Sequence, residues 1–149
     1  MSLMGVNQFH ALFRKAAGLD VDRNDVKRLS TFLEQKIYDM LIVARAAARA
    51  NGRDVIRPQD LPVTRGLQES IHRFRELEEE LALEPILERL AALPQLEIDV
   101  DPAVERRLPE LVGGISVALA RTFKLLDPEL KNPQTEHWER AEAIFATLL

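Results

Sequence analysis

The sequence lacks cysteine altogether and contains a single tryptophan and a single tyrosine. The absence of thiols excludes disulfide bridges, a thiolate nucleophile and cysteine-ligated zinc. Trp138 and Tyr38 are too isolated to suggest a stacking platform for single-stranded nucleic acid. No apolar run reaches membrane length, and the opening MSLMGV has neither the basic nor the apolar region of a signal peptide. We therefore expect a cytoplasmic protein without membrane contact.

The common catalytic and ligand-binding motifs are also missing. His10, His72 and His137 fall on three different predicted helices, and none has a second histidine three or four positions away, so no metal site is expected. There is no glycine-rich phosphate loop. The stretch GISVA at residues 114–118 superficially resembles a nucleophile elbow, but it lies inside a predicted helix. We expect no enzyme activity, no catalytic residues, no cofactor and no small-molecule substrate.

What the sequence does contain is charge, which makes up 30% of its residues and is unevenly distributed. Residues 1–76 hold 13 Lys and Arg against 9 Asp and Glu, a net charge of +4. Residues 77–149 hold 7 against 15, a net charge of −8. Such an imbalance concerns solubility and partners rather than fold.

One long amphipathic helix, predicted at residues 22–52, organises the rest of the chain. Its apolar residues recur every three or four positions: Val26, Leu29, Leu33, Ile37, Met40, Ala44 and Ala47. Asp22 is suited to cap its start, and Gly52 is suited to end it in a left-handed conformation. At about 1.5 Å per residue the rod is roughly 40–45 Å long. It must therefore lie across another helix of similar length.

A short helix precedes the long one, a shorter helix follows it, and the same order then repeats. Asn7 is predicted to cap the first helix, and Asn132 with Pro133 to begin the last. The first round comprises a helix at residues 8–17, an extended link at 19–21, the long helix, an extended segment at 53–57 and a third helix from near Thr64. The second comprises a helix at residues 85–93, a link at 96–100, a long helix at 101–126 and a last helix reaching 148.

The two rounds indicate an internal duplication, because matching segments occupy matching places. DRNDVKRL at residues 22–29 and DPAVERRL at residues 101–108 open the two long helices and end alike. Neither three-helix unit can cover its own long helix, so we expect the units to embrace within one chain. The prediction is one all-α domain, residues 1–149, made of halves at about 7–83 and 84–149.

Two adjacent glycines inside the second long helix support that packing. Gly113 and Gly114 each cost roughly 1 kcal/mol relative to alanine in a helix, so their position calls for a close approach of two backbones. They fall mid-helix, where two long helices would cross. We predict contact between this pair and residues 33–37 of the first long helix.

The order of elements resembles the histone fold, in which a long helix is flanked by two short ones. Two units in tandem are similar to a single-chain histone pseudodimer, and the chain resembles an uncharacterised bacterial family of such doublets over residues 7–149. The most specific segment is GRDVIRPQDL, residues 52–61, which is similar to the archaeal-histone segment that begins Gly-Arg-Lys-Thr. The resemblance implies that Arg53 and Asp60 form a structural ion pair.

Departures from the histone pattern bear on DNA binding. Histone pseudodimers hold DNA through basic loops at both ends and through the starts of the long helices. Here Asp54 and Val55 replace the Lys-Thr of archaeal histones, and residues 95–101 of the second half carry three acids and no base. The resemblance therefore leaves one basic end, with an acidic end opposite it. The candidate phosphate contacts at the basic end are Arg23, Lys27, Arg28, Arg53 and Arg57.

These observations favour a non-enzymatic interaction or scaffold protein, with either a protein partner or self-association through the ends of the third helices. The alternative is a DNA-associated, chromatin-like protein that binds duplex DNA through its basic N-terminal half. An enzyme of an unfamiliar kind is the third interpretation.

Overall fold

Five α-helices dominate the part of the chain that the computed structural model describes, residues 6–77 and 99–148. They are α1 Val6–Ala17, α2 Arg23–Ala50, α3 Arg65–Leu77, α4 Pro102–Leu126 and α5 Thr135–Leu148. Two short strands, β1 Val55–Ile56 and β2 Asp99–Val100, and a 3-10 turn at Pro58–Asp60 lie between them. The all-α prediction is confirmed. The predicted helix at residues 85–93 and the predicted boundary between the halves lie outside the described residues.

The ends of the long helix α2 follow from single residues. The Asp25 N–H donates to Asp22 Oδ1 at 2.8 Å, and the Asp22 N–H donates to Asp25 Oδ2 at 3.0 Å. This reciprocal pair satisfies N–H groups that the first turn leaves without helical partners. At the other end Gly52 has a φ of 69°, a left-handed conformation that glycine adopts without steric penalty. Both predicted end signals of this helix are confirmed.

Two other helix starts differ from the prediction. α1 begins at Val6, so Asn7 lies within the helix rather than capping it. α5 begins at Thr135, later than predicted. His137 caps this start, because its Nδ1 accepts a hydrogen bond from the Gln134 N–H at 2.9 Å. The capping acceptor comes from inside the helix, where a search for a preceding Ser, Thr, Asn or Asp does not find it.

α3 packs on α4, beyond the predicted division of the chain, and α5 contacts both long helices. α3, from the first half, packs along α4, and its Ile71 and Phe74 are buried there. α5, from the second half, packs on α2, where the rings of Phe32 and Phe145 meet edge to face with centroids 5.1 Å apart. Full burial of one such side chain contributes about 1.5–3 kcal/mol. Contacts across the predicted division of the chain therefore contribute to the core.

The loops also pair across the halves, at both ends of α2. β1 and β2 run parallel, with Ile56 opposite Val100. At the other end the Asp20 N–H donates to the Lys131 carbonyl oxygen at 2.7 Å. Each link that leads into a long helix thus contacts the loop that follows the long helix of the other half.

The glycine pair of α4 is buried at a helix contact, but the helix in contact is α3. A Cβ at Gly114 would lie 3.1 Å from the backbone nitrogen of Ile71, and a Cβ at Gly113 would overlap the ring of Phe74. These nearest atoms all belong to α3, and contact of the glycine pair with residues 33–37 of α2 stays a prediction.

Candidate interaction surfaces

Arg53 and Asp60 join the two ends of the loop that follows α2. The Arg53 guanidinium donates from Nη1 to Asp60 Oδ2 at 2.5 Å and from Nη2 to Oδ1 at 2.6 Å. The Arg57 N–H donates to Asp60 Oδ2 at 2.8 Å. The hydrogen bonds from Arg53 hold the pKa of Asp60 at about 2, below its usual value of 3.8. This ion pair occupies a guanidinium that would otherwise be offered to phosphate.

The five candidate phosphate contacts lie in two groups rather than at one end. The first group is Arg23, Lys27 and Arg28, and the second is Arg53 and Arg57. The first group lies in the first two turns of α2 and the second beyond its last residue, and the 28 residues of this helix span about 42 Å. Arg28 is also engaged, because its Nε donates to Glu142 at 3.1 Å. The prediction of a single basic end is wrong, since a helix of this length carries its first and last turns to opposite ends of the protein.

Asp99, in the described part of the acidic link, lies beside the basic loop that follows α2. β2 begins at Asp99, which is opposite Val55 in the parallel pairing. On the other strand of the pair, Asp54 precedes β1 and Arg57 follows it. Acidic and basic side chains therefore share this end, which weakens its attraction for phosphate. The expected division into a basic and an acidic end does not hold, because each end combines one loop from each half.

An apolar groove of about 470 Å³ opens where α3, α4 and α5 meet. Three exposed apolar side chains line it: Leu125 is 82% exposed, Leu148 is 73% exposed and Ile144 is 36% exposed. The lining residues are Thr64, Gly66, Leu67, Ser70, Ile115, Ala118, Arg121, Thr122, Leu125, Ile144, Phe145 and Leu148. We call this surface the apolar groove. Sequence analysis did not identify it, because exposed and buried apolar stripes on a helix have the same period.

A second cleft, of about 550 Å³, lies between the first half of α2 and α5. We call it the basic cleft, and its lining residues are Lys27, Arg28, Thr31, Phe32, Gln35, Lys36 and Glu142. Sequence analysis missed Lys36. It falls three residues after Leu33 and four before Met40, which places a lysine on the core-facing stripe of α2. A lysine on this apolar stripe is the sequence signal that could have identified Lys36.

Two partly buried carboxylates connect α5 to α2 and α3 to α4. The Trp138 Nε1–H of α5 donates to Asp25 Oδ1 of α2 at 2.9 Å, and burial raises the pKa of Asp25 above its usual value. Glu110 of α4 accepts from Arg107 Nε at 2.8 Å and from Arg75 of α3. Burial acts to raise the pKa of Glu110, but these two hydrogen bonds outweigh it and the pKa falls below the usual value.

The residues considered for catalysis or metal binding are dispersed. His137 caps α5, His72 pairs with a glutamate one turn along α3, and His10 lies on α1. Within residues 6–77 and 99–148, no group of three His, Cys, Asp or Glu side chains is placed to hold a metal. Ser116 is buried in α4 and its Oγ donates to the Val112 carbonyl oxygen at 2.8 Å. None of the helices described here is long and apolar enough to cross a membrane.

Comparison with known proteins places the fold among bacterial relatives. The chain matches the model of a family described as a domain of unknown function, DUF1931, over residues 9–146. A crystal structure from Thermus thermophilus has 55% sequence identity and a TM-score of 0.93, and the match covers 99% of this chain and 100% of that one. A 1.9 Å crystal structure of an Aquifex aeolicus protein has 24% identity and a TM-score of 0.84, covering 100% and 98%. An uncharacterised protein of Aquifex aeolicus is 27% identical over 135 residues, 91% of this chain and 78% of its own length.

Proposed function

We propose that this chain, which belongs to the DUF1931 family, is a single-chain histone-fold pseudodimer that acts as a non-enzymatic protein-interaction module. The crosswise contacts support the histone-fold assignment, because α3 lies on α4 and α5 contacts α2 through the ring pair of Phe32 and Phe145. The loop pairing supports it as well, through β1 and β2 at one end and through Asp20 and Lys131 at the other. Such an exchange is what the resemblance to a histone pseudodimer implies.

The apolar groove is the observation that carries the proposed activity. Leu125, Ile144 and Leu148 are three of the four large apolar side chains that are exposed among the described residues, and the fourth is Val43. Contiguous exposed apolar patches on soluble proteins mark interaction sites, because covering them removes apolar surface from water. The three residues lie on one surface, so one partner can cover them all.

The partner that fits this surface is an amphipathic helix with acidic residues beside its apolar stripe. A helix laid in a groove between other helices buries side chains spaced by three, four and seven positions. Arg121 is the one charged residue among those that line the apolar groove. Arg140, one turn before Ile144 on α5, adds a second positive charge near the rim. Acidic side chains on the partner would complement both charges.

A designed amphipathic peptide, with leucines on one face and glutamates beside them, tests this proposal by fluorescence anisotropy. We expect it to bind more tightly than the same peptide with lysines in place of the glutamates. Leu125→Glu should abolish binding, because it places a carboxylate in an apolar contact. Val43→Glu, at an exposed apolar site outside the groove, is the matched control and should leave binding intact.

Three results would overturn the proposal. The first is equal binding of the two peptides, and the second is equal binding to the two variants. The third is a dimer, measured by light scattering, that Leu125→Glu dissociates. In that case a second copy of the chain occupies the apolar groove, and the choice of a different protein as partner is wrong.

DNA association is the second candidate function, favoured by the exposed positive charge at the start of α2. Arg23 and Lys27 are both exposed there. Titration with duplex DNA at several salt concentrations tests it: affinity that falls steeply with salt and is lost in Arg23→Glu with Lys27→Glu would support it. Arg53→Glu is unsuitable for this purpose, because it also breaks the ion pair with Asp60. Absence of binding at low salt would remove this candidate.

A further inference from the structure

The basic cleft has the size and position of a small-molecule site. Its volume of about 550 Å³ lies within the roughly 300–1,000 Å³ that is typical of ligand pockets. Phe32 contributes apolar surface to its wall, and Thr31 and Gln35 contribute polar groups. The cleft is on the α2–α5 side of the protein and shares no lining residue with the apolar groove. An occupant here would not compete directly for the groove.

The charges that line the basic cleft are mostly positive. Lys27, Arg28 and Lys36 supply three cations, and Glu142 is the one acid among the lining residues. Glu142 accepts a hydrogen bond from Arg28 Nε, so these two charges offset each other. The two lysines remain to attract an anion.

Lys36 is the unusual member of this set, because its side chain is largely buried. The residue is only 8% exposed, and burying a charge is costly unless it is paired and hydrogen-bonded. Among the described residues, its ion-pair contact is with Asp39 Oδ2 at 3.5 Å, which is long for a hydrogen bond. Asp39 also accepts a hydrogen bond from Gln35 at 2.8 Å, so its carboxylate is shared.

The remaining stabilising contact of Lys36 is with an aromatic ring. Its Nζ lies 5.9 Å from the centroid of Phe32, near the outer limit for a cation–π interaction. An ammonium group has three donor hydrogens, and these two contacts leave donor capacity unused. An anion in the basic cleft would supply the acceptors that the described residues do not.

We propose that the basic cleft binds a small organic anion, with its phosphate or carboxylate group at the amine of Lys36. The apolar part of this ligand lies against Phe32 and the aliphatic stems of the lysines. No reaction is part of the proposal, and it stands apart from the interaction function assigned to the apolar groove. The two can therefore fail independently.

Aromatic probes that differ only in charge test the proposal on the full chain by calorimetric titration. Phenyl phosphate and benzoate carry the two candidate anions, benzyl alcohol is the neutral analogue, and inorganic phosphate lacks the apolar part. We expect phenyl phosphate or benzoate to bind, and to bind more tightly than inorganic phosphate or benzyl alcohol. Which of the two binds better identifies the anionic group.

Substitutions of single lysines complete the experiment. Lys36→Met keeps the length of the side chain and should weaken probe binding by about tenfold or more, because a hydrogen bond to a charged group is lost. Lys131→Met removes an exposed amine outside the basic cleft and should leave binding unchanged. Without ligand, Lys36→Met should unfold at the same temperature as the wild type or higher, whereas a purely structural ion pair would lower that temperature.

Several outcomes would overturn the proposal. They are the absence of binding by both anionic probes, equal binding of benzyl alcohol, and equal weakening in the Lys36 and Lys131 variants. Displacement of the probes by duplex DNA at equal phosphate concentration would make a polyanion the ligand instead. If Lys36→Met does not fold, Lys27→Met serves in its place, because Lys27 is exposed and its removal leaves the core intact.

Discussion

Asp60 shows how one charged side chain can organise a loop. The residue is 6% exposed and accepts two hydrogen bonds from the Arg53 guanidinium and one from the Arg57 N–H. A carboxylate removed from water is stable only when donors of this kind replace its hydration. The Arg53–Asp60 ion pair therefore fastens the segment that contains β1 to the end of α2.

We expect Asp60→Asn to lower the free energy of unfolding by about 2 kcal/mol, because charge-assisted hydrogen bonds are weakened and Arg53 loses its counterion. Urea denaturation measures the change. Asp54→Asn, at an exposed acid of the same loop, is the control and should change stability by less than about 0.5 kcal/mol. Similar losses in both variants would contradict the structural role of the pair.

The lowered pKa of Asp60 also predicts how stability depends on pH. Its folded-state pKa is about 2, against a usual value of 3.8, so the folded state favours the ionised carboxylate. This contribution is complete above about pH 4 and is lost as the pH falls toward about 2. We expect the wild type to lose stability more steeply than Asp60→Asn across this interval. Parallel curves of unfolding free energy against pH would show that the carboxylate is not the titrating group.

At the scale of helices, the contact between α3 and α4 depends on Gly114, which has no side chain. A Cβ added to Gly114 would lie 3.1 Å from the nitrogen and 3.2 Å from the Cα of Ile71. Backbone atoms cannot rotate out of the way as the end of a side chain can. The close approach of the two helices is therefore possible only because Gly114 has no methyl group.

Gly114→Ala should destabilise the protein by about 1–2 kcal/mol, because overpacking outweighs the intrinsic preference of helices for alanine. Gly66→Ala is the matched control on α3, since a Cβ there meets no atom within 4 Å. It should leave the protein equally stable or stabilise it by up to about 1 kcal/mol. Thermal denaturation distinguishes the two. A more stable Gly114→Ala would mean that α3 shifts freely along α4.

The elements show which features a sequence can predict. The ends of α2 were predictable from Asp22 and Gly52, because caps are made by residues a few positions apart. The helix that packs against the glycine pair was not predictable, since Gly114 allows the close approach of any neighbour with the right shape. The apolar groove was not predictable either, because the exposure of Leu148 depends on where the neighbouring helices end. Lys36 lay within reach, as a charge on an apolar stripe, but the cleft beside it depends on α5.

At the scale of the whole molecule, the contacts of α3 with α4 and of α5 with α2 make the two predicted halves depend on each other. Without the second half, Ile71 and Phe74 of α3 lose the surface of α4 on which they are buried. Without the first half, Trp138 and Phe145 of α5 lose α2.

We expect residues 7–83 and 84–149, produced as separate chains, to show little helical circular dichroism alone. Mixing them should restore the helical signal and a cooperative thermal transition, because the exchanged contacts can form between chains. The full chain is the reference, and it should unfold at higher temperature than the mixture, since its halves are covalently linked. A cooperative transition in either half alone would contradict this interdependence.

The single indole of the protein makes the docking of α5 directly visible. Trp138 is 2% exposed, its ring meets Phe123 with centroids 5.0 Å apart, and the Arg28 guanidinium lies 5.7 Å from its centroid. An indole shielded from water emits at shorter wavelength than a hydrated one. Intrinsic fluorescence therefore reports, without any attached dye, the separation of the last helix from α2 and α4.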